Sequence, residues 1–271
     1  MGVNLVKEQE EGTFPLQLIK ELKENHIPID ESKMYGFGDD TTKHLLGALN
    51  AAEPSSNPHH PRYEIGDYDL VVLSIGMHDL YRGHSLHDYK YHFKELLNRS
   101  IRFAHNNPAR VIVLSIPAWD VSPSVYNKIG LAERANQYEE VRHKMNEISI
   151  ATNAVKTIKN NHAEVELDEK ILRDKIQKAK NYNTPEGIAK SIDAFNAAAQ
   201  DIIRRTNEEN RGQGQIHYID LTQITRQDAI DKTTGAPLPY LFASDGIHYS
   251  SQMYKRWADA VYPTAYQILR T

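Results

Sequence analysis

The sequence contains no cysteine among its 271 residues. This absence excludes disulfide bonds, iron–sulfur sites, cysteine-ligated zinc and a cysteine nucleophile. Long apolar runs are missing too: the longest, at 70–75 and 111–116, are far shorter than the roughly 20 residues that cross a bilayer. Positive charge is not in excess, because 36 acidic residues outnumber 32 basic ones and leave a net charge of −4. We therefore expect no membrane span and no general nucleic-acid binding.

The composition that is present is typical of a globular protein. Hydrophobic residues make up 40% of the chain and charged residues 25%. The length suits one large domain, or one domain that carries an insertion. The first residues, MGVNLVKEQEEG, lack the apolar core of a signal peptide, and we assign no cellular location.

Two segments, 69–76 and 110–117, are continuous apolar runs, as in strands that are buried on both faces of a parallel sheet. Between them Ser85 is suited to be a helix N-cap, with Asp88 three residues later and apolar residues recurring at spacings of three and four. Strand, helix and strand over this length form a right-handed crossover unit, so the sequence predicts an α/β fold. Further strands are predicted at 33–37 and 215–221, and further helices from residue 13, across 188–202 and across 253–268.

Residues 126–183 have a different pattern. Apolar residues from Tyr138 to Val155 follow alternating steps of three and four, and a second apolar series runs from Leu167 to Ala179. We therefore predict a helical hairpin at 126–183, inserted into an α/β domain made of 1–125 and 184–271. The hairpin is interpreted as a structural arm, as a lid over the site, or as a partner surface through which a homodimer forms.

The segment with the clearest chemistry is Ser244-Asp-Gly-Ile-His-Tyr-Ser250. A carboxylate three residues before a histidine can fold back in a tight loop onto the ring Nδ1–H. That contact fixes the tautomer and leaves Nε2 free as a general base. We expect Asp245 and His248 to form such a pair in a loop near the end of the chain, where α/β folds often carry functional residues. The alternative is an Asp-Gly turn beside a surface histidine.

Two further segments follow predicted strands. In Ser74-Ile-Gly-Met-His-Asp79, Gly76 permits close approach of the backbone, and His78 and Asp79 are expected to project into the crevice where α/β folds bind ligands. The segment Gly36-Phe-Gly-Asp-Asp-Thr-Thr42 could offer backbone N–H groups to an anion, although it matches no common nucleotide-binding motif.

Trp119 and Asp120 follow the second buried strand. They could line a pocket at the carboxyl edge of the sheet. A tryptophan at this position is as often a packing residue.

Taken together, these segments resemble the SGNH (GDSL-type) hydrolases over most of the chain outside 126–183. The resemblance implies a flavodoxin-like, three-layer α/β/α fold with a parallel sheet. It also implies hydrolysis of esters of lipids, sugars or small alcohols by a serine nucleophile, with no metal or other cofactor. The most specific match is the Asp-x-x-His pattern of 244–250. The matching blocks, in chain order, are Thr13-Phe-Pro-Leu-Gln-Leu18, 68–83, 111–117 and 244–250.

The resemblance also implies roles for individual residues. His248 would be the general base and Asp245 the carboxylate that orients it. Gly38, or a neighbouring backbone N–H, would donate to the oxyanion. His78, two residues after Gly76 in its block, stands where the family has an asparagine donor; an imidazole N–H can also donate, although losing a good donor typically costs about 10²–10³ in turnover.

The family's Gly-Asp-Ser block, which carries the nucleophile, is not found in the sequence. Phe14-Pro15 begins only thirteen residues after Met1, which leaves room for the loop that follows this block but not for its strand. We therefore expect an N-terminally truncated version of a complete hydrolase, in which the missing strand lies between the 33–37 and 70–75 strands.

Two other functions remain open. The first is a non-catalytic relative that binds an ester-bearing or sugar ligand, which the missing serine and His78 favour. The second is a metal-dependent protein, since imidazole and carboxylate groups cluster in one stretch; histidines on the polar side of a surface helix are its plain alternative. The residues of that stretch are His78, Asp79, His84, His87, Asp88 and His92.

Overall fold

A computed structural model of the protein describes residues 12–36, 40–52, 67–126 and 184–270. No helix in these ranges is long and apolar enough to span a membrane. The helices are α1 (Phe14–Glu24), α2 (Thr42–Ala52), α3 (Met77–Tyr81), α4 (Leu86–Phe103), α5 (Pro185–Glu209), α6 (Leu221–Asp228) and α7 (Ser251–Leu269). The strands are β1 (Val71–Leu73), β2 (Val111–Leu114) and β3 (His217–Ile219), and short 3₁₀ helices lie at Pro108–Arg110, Trp119–Val121 and Pro239–Leu241.

The three strands form one parallel sheet in the order β1-β2-β3. Val71 is in register with Val111, and Ile112 is in register with His217. All four residues of β2 are buried. The two continuous apolar runs of the sequence are therefore neighbouring strands, as predicted, and the strand predicted at 215–221 is confirmed at its centre.

Helices cover both faces of the sheet. Alternate side chains of β2 enter different cores, because successive residues of a strand point to opposite faces. Val111 and Val113 pack in the core that contains residues of α2, α4 and α5. Ile112 and Leu114 pack in the core that contains residues of α1, α6 and α7. The predicted three-layer α/β/α architecture is confirmed.

Polar caps and prolines mark the starts of three helices, of which the sequence signals identified those of α1 and α4. Ser85 caps α4, and its hydroxyl oxygen accepts a hydrogen bond from the backbone N–H of Asp88 at 3.0 Å. Thr184 caps α5 in the same way, with the N–H of Gly187 at 3.1 Å. Pro15 and Pro185 lie in the first turns of α1 and α5, where a proline costs no helical hydrogen bond.

The strand predicted at 33–37 is wrong for 33–36, the part of it that the structure describes, because these residues pair with no described strand. Tyr35 instead packs its ring 6.3 Å from that of Phe103, and its hydroxyl lies 2.5 Å from the hydroxyl of Tyr68. A strand forms only where a neighbour completes its backbone hydrogen bonds, which apolar residues alone do not supply. The hairpin predicted at 126–183 lies, apart from Tyr126, outside the described residues.

Candidate active site

The loop from Ala243 to His248 holds a carboxylate against an imidazole. Asp245 Oδ2 lies 2.5 Å from Nδ1 of His248. Asp245 Oδ1 accepts hydrogen bonds from the backbone N–H groups of Ile247 and His248, both at 2.9 Å. With its two oxygens used in this way, the carboxylate fixes the orientation of the ring. Nε2 of His248 has no hydrogen-bond partner among the described residues, and the side chain is 52% exposed.

The backbone closes this loop tightly. Phe242 and Tyr249 form an antiparallel bridge, and the N–H of Ala243 donates to the carbonyl of His248 at 2.7 Å. Gly246 adopts a φ of +69°, a backbone conformation that residues other than glycine rarely adopt. The Asp-x-x-His spacing therefore folds as a turn that brings the two side chains together.

The pKa of the Asp245 carboxyl lies below its ordinary value of 3.8. Partial burial raises this pKa, but the hydrogen bonds from the Ile247 backbone, the His248 ring and the His248 backbone lower it by more. The carboxylate is therefore ionised at neutral pH, as it must be to accept from Nδ1–H.

Ser124 fixes the loop to the segment that follows β2. Its hydroxyl donates to the carbonyl of Asp245 at 2.7 Å, and its N–H donates to the carbonyl of Gly246 at 2.9 Å. A Cβ on Gly246 would lie 2.9 Å from the Ser124 hydroxyl oxygen, so this close approach also requires glycine. Sequence analysis missed Ser124; its position in a polar loop after a buried strand was the available signal.

Gly76 and His78 lie at the carboxyl end of β1. Gly76 has a φ of +118°, and a Cβ there would lie 2.8 Å from the ring of Tyr89 and 2.9 Å from Ile116. Packing of the helix start against the core therefore accounts for this glycine. His78 is half-buried on α3, with its ring 6.4 Å from that of Tyr81.

A row of aromatic rings connects α3 with the segment that follows β2. The rings of Tyr81 and Trp119 are edge to face at 6.2 Å. Tyr81 is 65% exposed, whereas Trp119 is 9% exposed. Trp119 and Ser124 belong to the same segment, so contacts extend from His78 through this segment to the loop that carries His248.

The expectation that Asp79 projects into the crevice is wrong, because Asp79 is fully buried. Its carboxylate accepts hydrogen bonds from the backbone N–H of Thr42 at 2.8 Å and from the Thr42 hydroxyl at 2.7 Å. Nδ1 of His84 lies 3.3 Å from the same carboxylate. An ionised carboxylate can be buried when donors surround it, and Asp79 uses these donors to hold the start of α2. Gly38, the predicted oxyanion donor, lies in 37–39, outside the described residues.

The metal alternative has no support within the described ranges. There, no group of three or more histidine, aspartate or glutamate side chains is arranged to hold a metal ion. Asp79 is directed to Thr42, and His87 and Asp88 are exposed on α4. The histidines of this stretch are therefore spread over α3, α4 and the turn between these two helices.

The comparisons with known proteins agree with the fold. The family model for the GDSL-like lipase/acylhydrolases matches residues 36–261, a range that contains the sheet, α3 and the Asp245–His248 loop. No curated protein sequence matches the chain. Because the match covers most of the chain, the protein belongs to the GDSL-like lipase/acylhydrolase family.

Proposed function

We propose that the protein is an ester hydrolase in which His248 is the general base and Asp245 orients it. The observation that carries this proposal is the contact of Asp245 Oδ2 with His248 Nδ1, on a His248 side chain that is 52% exposed. A carboxylate on Nδ1 of an imidazole is the arrangement that a serine hydrolase uses to orient its general base, which supports the proposal. Membership of an acylhydrolase family supports an ester as the substrate.

The proposed reaction proceeds through an acyl-enzyme. Nε2 of His248 takes the proton of a serine hydroxyl while the serine oxygen attacks the ester carbonyl carbon. The tetrahedral intermediate then collapses, and His248 passes the proton to the leaving alcohol. A water molecule repeats the attack with the same base and releases the acid. Backbone N–H groups near Gly38 and Gly76 and the imidazole of His78 are the proposed oxyanion donors.

The motifs of this sequence assign no serine to the nucleophile, so the first test is to trap one. A fluorophosphonate probe is added to the 271-residue chain and to a chain that is extended through the upstream reading frame, and mass spectrometry locates the labelled residue. We expect one labelled serine, with labelling slowed about 10²-fold or more in His248→Ala. His87→Ala, a change of an exposed histidine on α4, is the matched control and leaves labelling unchanged. Ester hydrolysis without any labelled serine contradicts the acyl-enzyme.

A non-catalytic, ligand-binding relative is the second candidate. The absence of a Gly-Asp-Ser block and the presence of His78 in place of asparagine favour it. It predicts that both chains are folded, hydrolyse no ester, and bind an acylated sugar or small ester with the same affinity before and after His248→Ala. A His248-dependent turnover contradicts it.

We also propose that 126–183 is a helical hairpin inserted into an α/β domain made of 1–125 and 184–271. The surface of this hairpin is the proposed contact of a homodimer. Sedimentation velocity over a range of protein concentrations tests the dimer. A concentration-dependent dimer supports it, and a monomer at every concentration contradicts it.

A further inference from the structure

Two short segments, 119–122 and 249–250, carry buried polar atoms that no protein group satisfies. Five of the buried side-chain polar atoms that have no hydrogen-bond partner in the described part of the chain lie in these segments: Trp119 Nε1, Asp120 Oδ1, Ser122 Oγ, Tyr249 OH and Ser250 Oγ. Buried polar groups in folded proteins are nearly all paired, with protein or with ordered water. The concentration of such atoms in two segments therefore calls for a common explanation.

Each of the two segments lies within a few residues of the contact between Ser124 and the loop that carries His248. Ser124, just after the first segment, donates two hydrogen bonds to the loop that ends at Tyr249. Arg226, which donates to Asp120, is next to Thr225 on α6, and Thr225 accepts a hydrogen bond from Nε1 of Trp257, on whose ring Tyr249 packs. Burial raises the pKa of the Tyr249 hydroxyl; the charge of Asp120 raises it further, whereas that of Arg226 opposes the rise. The junction thus joins the end of β2 to the loop that carries His248.

Asp120 is held at this junction by an arginine on α6. Arg226 Nε donates to Asp120 Oδ2 at 3.1 Å, and Asp120 is only 8% exposed. Burial raises the pKa of the Asp120 carboxyl, and the adjacent guanidinium opposes that rise. The second carboxylate oxygen, Oδ1, is an unused acceptor in a buried position.

Tyr249 offers the complementary group. It is 4% exposed, and its ring packs edge to face at 4.6 Å on Trp257 of α7. Its buried hydroxyl is an unused donor. Tyr249 follows His248 directly and pairs with Phe242 to close the loop. A contact that holds the Tyr249 side chain therefore also restricts the backbone of His248.

We propose that Asp120 is a positioning residue, which binds the Tyr249 hydroxyl through one buried water molecule and so holds the loop that carries His248. Water fits the chemistry because it donates to Asp120 Oδ1 and accepts from Tyr249 OH, and a buried water usually has about three polar partners. Ser122 and Ser250 offer further hydroxyls in the same two segments. The effect of Asp120 on catalysis rests on the proposed role of His248, but the contact itself does not.

The test is a double-mutant cycle with Asp120→Asn, Tyr249→Phe and the combination of both. Tyr249→Phe keeps the packed ring and removes only the hydroxyl. Asp193→Asn is the matched control, because Asp193 also binds Arg226, at 2.7 Å, but from the exposed side. A high-resolution crystal structure is expected to have water within hydrogen-bond distance of both Asp120 and Tyr249, and to lose it in Tyr249→Phe.

Hydrogen–deuterium exchange of the amides of Ile247 and His248 measures the loop without any need for activity. We expect each single variant to speed this exchange about tenfold, the double variant to be no faster than the singles, and Asp193→Asn to leave it unchanged. In ester hydrolysis the same variants lower kcat and leave KM unchanged. Additive effects, or unchanged exchange together with no bridging water, overturn the proposal. If the two variants have coupled effects on exchange but the chain hydrolyses no ester, the contact between Asp120 and Tyr249 is supported and only the proposed function is refuted.

Discussion

At the scale of single residues, the orientation of one imidazole depends on one carboxylate. Asp245 accepts two backbone N–H groups as well as the ring of His248, so the same group shapes the turn and directs the base. A group that performs both tasks affects stability and chemistry together. The two effects can be separated by their dependence on pH.

The first prediction concerns Asp245→Asn. The pKa of Asp245 in the folded state lies below its ordinary value of 3.8, so its ionised form stabilises the fold above that value. This stabilisation is lost as the pH falls through the folded-state pKa. In urea denaturation, native protein is expected to exceed Asp245→Asn in unfolding free energy at about pH 5–8, and the difference is expected to shrink below about pH 4. A difference that does not change with pH contradicts the assignment.

The second prediction concerns the oxyanion. If His78 donates to it, His78→Ala lowers kcat about 10²–10³-fold, because the developing charge loses a donor. His78→Asn, which restores the family's own donor, is expected to retain most of the activity. Steady-state kinetics with a p-nitrophenyl ester measures both variants. Equal activity in His78→Ala and native protein removes His78 from the reaction.

At the scale of elements, buried polar contacts fix how helices and loops meet the sheet. Asp79 on α3 holds the first residue of α2 by both its backbone N–H and its hydroxyl. The segment 36–42, whose backbone N–H groups could serve an anion, ends at this residue, so Asp79 sets the position of the end of that segment.

The third prediction is that Asp79→Ala destabilises the protein. Its removal leaves the buried donors of Thr42 unsatisfied, and each such group costs about 1–3 kcal/mol of unfolding free energy. Thr42→Val removes the hydroxyl of the same contact. Urea denaturation of the two single variants and the double variant is expected to give a double variant that is less destabilised than the sum of the singles. Full additivity would mean that the two residues do not interact.

Sequence patterns predicted the elements better than their contacts. The apolar runs at 70–75 and 111–116 identified two parallel strands. The expected burial on both faces holds throughout β2, whereas Val71 and Val72 of β1 are half-buried. Ser85 identified the start of α4. The strand prediction for 33–36 was wrong because a strand must pair with a partner strand, and a local sequence pattern does not reveal that partner. The prediction that Asp79 projects into the crevice was wrong for a related reason. A polar side chain after a strand can be buried when hydrogen-bond donors from a distant part of the chain reach it.

At the scale of the whole molecule, one polar cluster joins the layers. Asn196 of α5 accepts the N–H of Ile116 at 2.8 Å and donates to the hydroxyl of Thr222 at 2.7 Å. That hydroxyl donates to the carbonyl of Ile116 at 2.6 Å. The cluster therefore connects α5, the end of β2 and α6 across the sheet, and so supports the segment that carries Trp119, Asp120 and Ser124.

The fourth prediction is that Asn196→Ala lowers the unfolding free energy by about 1–3 kcal/mol, because the buried N–H of Ile116 loses its acceptor. Ser191→Ala on the same helix is the matched control. Its hydroxyl donates only to the carbonyl of Gly187 within α5, so a change of about 0.5 kcal/mol or less is expected. Urea denaturation of both variants gives the comparison, and equal losses contradict a special role for the cluster.

The sequence predicted part of the candidate site, but not the residues that hold the site in place. The Asp-x-x-His spacing pointed to the Asp245–His248 contact because the two residues are close in sequence. Ser124 and Arg226 act over sequence separations of 121 and 106 residues, which no local motif encodes. The catalytic roles of His248 and Asp245 stay predictions.

The most direct measurement is hydrolysis of p-nitrophenyl acetate and butyrate by the 271-residue chain and by the chain extended through the upstream reading frame, each with its His248→Ala variant. We predict turnover in at least one of the two chains, and its loss by about 10³-fold or more in His248→Ala but not in His87→Ala. Turnover that survives His248→Ala contradicts the account, as does a folded protein that hydrolyses neither ester in either chain.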